Sequence, residues 1–143
     1  MALLTREQIL AAQDIGFEDL DMSDVPGWGG TVRIRDLSAG DRDRLEASMI
    51  GQKKEFKRGG GVQVTAVPNL ENIRSRYCAA CICDEDLKPI FTDADILALG
   101  RKSAKALDRI FDRIKARNGL NDEAVEELVE NFDTGQVDGS PTV

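Results

Sequence analysis

Val25-Pro-Gly-Trp-Gly-Gly-Thr-Val-Arg-Ile-Arg-Asp-Leu-Ser-Ala-Gly-Asp41 is the stretch on which the fold turns. Turn punctuation surrounds the single tryptophan, with Pro26-Gly27 before Trp28 and Gly29-Gly30 after it. Val32 and Ile34 then alternate with Arg33 and Arg35, the period of a half-buried strand. Ser38 stands three residues before Asp41, the spacing of a helix N-cap with a carboxylate in the first turn. A strand delivered straight into a helix is a structural junction, and nothing in it points to catalysis.

Working outward, Phe17 to Met22 reads as a weak first strand and Ser23 to Gly30 as its loop, so residues 15–37 form an antiparallel hairpin. Before it, Thr5 and Gln8 have capping-box spacing and start a short helix, Arg6 to Gln13. After Ser38 a long helix is expected, with Leu45, Met49 and Phe56 on its buried side and Lys53, Lys54, Lys57 and Arg58 at its basic end. Gly59-Gly60-Gly61 stops it, and residues 59–69 read as a mobile loop, with a short strand over Val62 to Val67 as the alternative.

Asn69 caps the next helix, which carries Leu70, Ile73, Tyr77, Ala80 and Cys81. Asp84 to Pro89 is a turn, and Thr92 with Asp95 caps a short helix that Gly100 ends. Ser103 begins the clearest helix, with Leu107, Ile110, Phe111 and Ile114 at i, i+3, i+4 and i+7 before Asn118-Gly119. A last helix from Asn121 repeats the stripe with Val125, Leu128, Val129 and Phe132, and its acids face the basic helix before it in an αα-hairpin. The expected fold is α+β but mostly α: a short helix and hairpin, then a bundle of about four to five helices over residues 38–132. Residues 1–133 make one domain and 134–143 a flexible tail.

Composition narrows the function. The 143 residues hold 41% hydrophobic and 31% charged side chains, ordinary values for a globular chain. A net charge of −7, from 26 acids and 19 bases, disfavours nucleic acid as the main partner. The absence of histidine removes His-based triads and most zinc enzymes. There is no apolar run of the ~20 residues a membrane span needs, and the N-terminus lacks a signal-peptide core, so the cytoplasm is the expected compartment.

Each motif has a plain reading beside its chemical one. Cys78-Ala-Ala-Cys81-Ile-Cys83 has CxxC spacing, but nothing completes a zinc site and the surrounding pattern is helical, so buried thiols are favoured. Asp84 to Asp95 has the length of an EF-hand loop, with Pro89 where glycine is required, and calcium is rejected. Gly59-Gly60-Gly61 lacks the Gly-Lys-Ser/Thr of a phosphate loop. Catalytic, cofactor and metal residues are accordingly not assigned. Trp28 either caps the core or anchors a partner. The two apolar helix stripes read first as core and second as a groove for a partner helix. The candidate partner-binding residues are Trp28, Phe56, Leu128, Val129 and Phe132.

The run Pro26 to Ser38 resembles the N-terminal signature of tail assembly chaperones of long-tailed, siphophage-type bacteriophages and prophages. Further similar segments follow in order: Thr5-Arg-Glu-Gln-Ile-Leu10, Ala79 to Asp95, Leu99 to Phe111, and Glu126-Glu-Leu-Val-Glu-Asn-Phe132. The resemblance implies a non-enzymatic protein of viral morphogenesis that works by protein–protein interaction. It binds the tape-measure protein and keeps it soluble while the tail tube polymerises around it. Tail-tube protein, a frameshifted longer form of the chain and a second copy are further implied partners; nucleic acid, membrane and cofactors are not. The implied location is the host cell cytoplasm, with none of the protein in the mature virion. The alternatives are a tail or neck component retained in the virion, an unrelated acidic cytoplasmic adaptor, and a thiol enzyme using Cys78 or Cys81.

Overall fold

The computed structural model describes residues 1–120. The expected helix over 121–132, with Leu128, Val129 and Phe132, lies outside the described residues, as does the tail. The elements run α1 (Arg6–Ala11), β1 (Phe17–Asp21), β2 (Thr31–Arg35), α2 (Ala39–Ser48), β3 (Ile50–Lys57), β4 (Gly61–Pro68), α3 (Ile73–Cys81), β5 (Ile82–Cys83), a 3-10 turn (Asp93–Asp95), α4 (Ile96–Leu99) and α5 (Ala104–Arg117). This is an α+β fold with two small sheets, and the expected helical bundle after the hairpin is overturned.

The correction falls on two segments. The helix expected to reach Arg58 ends at Ser48, because Gly51 is a poor helix former and residues 50–57 pair instead with 61–68. The loop expected over 59–69 is therefore mostly strand β4, and its turn is made by Gly59 and Gly60 at φ +103° and +96°, angles that glycine adopts without strain. The second segment is Ile82–Cys83, which forms β5 as soon as α3 ends.

The three-stranded sheet has the order β1-β2-β5 and is antiparallel throughout, with Leu20 opposite Val32 and Ile34 opposite Ile82. Leu20, Ile34 and Ile82 are buried in the core, which also holds Met22, Tyr77, Cys78, Leu107, Ile110 and Ile114. Complete burial of an Ile such as Ile110 contributes about 1.5–3 kcal/mol. Helix α5 buries its expected stripe against α3, and the Tyr77 and Phe111 ring centroids are 5.2 Å apart.

Local capping follows the sequence closely. Thr5 and Gln8 form a reciprocal capping box, as do Thr92 and Asp95, while the hydroxyls of Ser38 and Ser103 accept from the backbone N–H groups of Asp41 and Ala106. Asn69 accepts from the Glu71 N–H, but α3 starts later, at Ile73.

Helix α5 meets the first hairpin through arginines one turn apart. Arg109 binds Asp24, Arg113 binds Glu18, and Arg117 binds Asp36, each through two donors. Among the described residues, Arg109, Arg113 and Arg117 of α5 are thus engaged by acids on and around β1 and β2, and the acidic helix expected to face α5 lies outside the described residues. These bonds hold the Glu18 and Asp24 carboxyls below the usual carboxylate range.

Candidate functional site

Strands β3 and β4 form a two-stranded arm paired over eight residues, from Ile50–Pro68 at its root to Lys57–Gly61 near its tip. At the strand rise it extends ~26 Å. Side chains alternate across it, so Ile50, Phe56, Val62 and Val64 share one face with Gln52, Lys54 and Ala66. The opposite face carries Lys53, Glu55, Lys57, Gln63 and Thr65. Phe56 is 86% exposed, Val62 56% and Val64 53%, so the apolar face stands in solvent. The arm is fixed at its root, where the Asn69 N–H donates to the Met49 carbonyl and Met49 is fully buried.

The arm is also basic. Lys53, Lys54, Lys57 and Arg58 outnumber its one acid, Glu55, which pairs with Lys53 at 3.1 Å. Residues 121–143 hold seven of the 26 acids and none of the 19 bases, which places the whole formal charge of −7 there and leaves residues 1–120 balanced.

Two grooves lie on the body. One, about 550 Å³, is floored by Leu45, Phe91 and Ile96 and rimmed by Arg35, Arg44 and Arg76. Arg35 donates to the Ala80 carbonyl and pairs with Asp41, which also pairs with Arg44. Arg76 donates to the Glu71 and Ser48 carbonyls. Burial pushes the Asp41 carboxyl up, but the Ser38 hydroxyl and the arginines Arg35 and Arg44 outweigh it and leave the net shift downward.

The second groove, about 620 Å³, is where Trp28 lies, against Pro26, Phe91 and Leu99, with Arg101 and Lys102 at its edge. Trp28 is half-buried and packs on the core, while Phe56 lines neither groove. The candidates Trp28 and Phe56 thus belong to different surfaces. Val62 and Val64 were missed by sequence reasoning, although their alternation with Gln63 and Thr65 beyond a Gly-Gly turn is a hairpin signal.

The thiols sit inside the body. Cys78, Cys81 and Cys83 are free and buried, and burial pushes Cys78 and Cys81 up to about 12. Among the described residues no group of three or more acids and cysteines is placed to hold a metal ion, and no helix is long and apolar enough to cross a membrane.

The chain matches no family model, no curated protein and no solved structure. The fold and its surface therefore define a class only by physical character: a small α+β body carrying an exposed, basic, apolar-faced β-arm.

Proposed function

We propose that this chain is a non-enzymatic tail assembly chaperone that binds a tape-measure protein in the host cytoplasm and keeps it soluble while the tail tube polymerises around it. The observation that carries the reading is the solvent-facing apolar strip Ile50–Phe56–Val62–Val64. An apolar strip held in water on a thin arm is a surface made for covering another protein's apolar stripe. The sequence resemblance over Pro26 to Ser38 and the later segments supplies the identity of that partner. Thiols protonated and buried in the core support a role without thiol chemistry.

The test is co-expression with a tape-measure protein, sought as a very long helical reading frame adjacent to this gene. The long protein should be soluble only with the chaperone, and a chain carrying Phe56→Ser and Val64→Ser should recover far less of it. Insolubility of the long protein in both cases would sink the reading. Peptides of this chain in purified virions would instead make it a retained tail component.

A further inference from the structure

We infer that the apolar face of the β3–β4 arm is completed by an acidic amphipathic helix supplied by the partner. The inference deepens the chaperone reading and rests on it for the partner's identity.

A two-stranded sheet with one apolar face is marginal in water until a helix or a further strand covers it. A strand added at the arm's edge would pair backbone groups but leave Phe56, Val62 and Val64 in solvent. A helix laid across the face covers them. An arm of ~26 Å matches a helix of about 17 residues.

Charge selects which helix. Lys54 sits within the apolar face and Arg58 stands in the tip turn, while Lys57 belongs to the opposite face. Among the described residues none of these has a carboxylate partner, whereas Lys53 has Glu55. Acids flanking a helix's apolar stripe would meet Lys54 and the basic tip. A second copy's arm, stacked face to face, would instead set like charge against like charge, which disfavours it as the occupant.

The test uses the full chain and two labelled synthetic peptides of about 18 residues with the same leucine stripe. One peptide carries glutamates on its flanks, the other lysines, and binding is read by fluorescence anisotropy. The acidic peptide should bind at least about tenfold tighter and weaken as salt rises. Phe56→Ser with Val64→Ser should remove that binding, and Lys54→Glu with Arg58→Glu should reverse the preference between the peptides. Native protection of Cys78 and Cys81 from alkylation reports that each variant is folded, and the charge variant tests the inference independently of the apolar one.

Equal binding of both peptides, or acidic binding that survives the arm substitutions, would overturn it; the second outcome would direct attention to Arg44 and Arg76. The two readings fail separately. An acidic peptide on the arm with no effect on the tape-measure protein ends the chaperone reading alone. A charge-reversed arm that still solubilises the tape-measure protein ends this one alone.

Discussion

The Arg117 guanidinium lies side-on to the Asp36 carboxylate, Nε to Oδ1 at 2.6 Å and Nη2 to Oδ2 at 3.1 Å, and so ties the last turn of α5 to the end of β2 across 81 residues of chain. Gly16 leaves room for it: a Cβ there would stand 2.9 Å from both Arg117 Nη2 and Asp36 Oδ2. Both side chains are about three-quarters shielded, unlike the more open Arg109–Asp24 pair. A double-mutant cycle with Arg117→Met and Asp36→Asn should give a coupling of about 1–2 kcal/mol from urea midpoints. The cycle on Arg109 and Asp24 should give less, because its charges remain hydrated.

Acid should loosen the fold, and the direction follows from the carboxylates. Glu18, Asp19, Asp24 and Asp41 all have pKa values lowered in the folded state. Their stabilisation is complete above the unfolded values of about 4 and is lost as pH falls through the folded ones. With no histidine, no side chain has its ordinary pKa between pH 5 and 8. Urea midpoints should therefore stay level from pH 8 to about 5 and fall below about 4. A fall already complete at pH 5.5 would contradict this account.

The thiols give a folding probe. At pH 8 a neutral alkylating reagent should modify Cys78 and Cys81 only when the chain unfolds, since both are buried and remain protonated. Mass spectrometry before and after denaturant reads the result. Rapid native modification of either would revive thiol chemistry.

Core and arm should respond oppositely to truncation. Ile110→Ala and Ile114→Ala empty fully buried positions and should cost about 2–5 kcal/mol each. Phe56→Ala removes a larger side chain from an open surface and should stay within about 0.5 kcal/mol. A large loss at Phe56 would mean the arm packs on something within the free protein.

What the sequence determined by itself is local. The capping residues Thr5, Ser38, Thr92 and Ser103 start helices at the positions their spacing marks, since a cap needs only a side-chain oxygen near the next N–H groups. The alternation of residues 31–35 and the stripe of α5 are legible because one face of each element is buried. Residues 50–57 were opaque for the opposite reason. They bury little in the described residues, so no amphipathic period separates strand from helix, and lysines and Phe56 fit either. Only the cross-strand pairing of residues 50–57 with 61–68 decided that Phe56 stands on a β-arm and not in a helical core. The arginines of α5 show the same limit: their charge was readable, but Glu18, Asp24 and Asp36 became their partners only when the chain brought the first hairpin against α5.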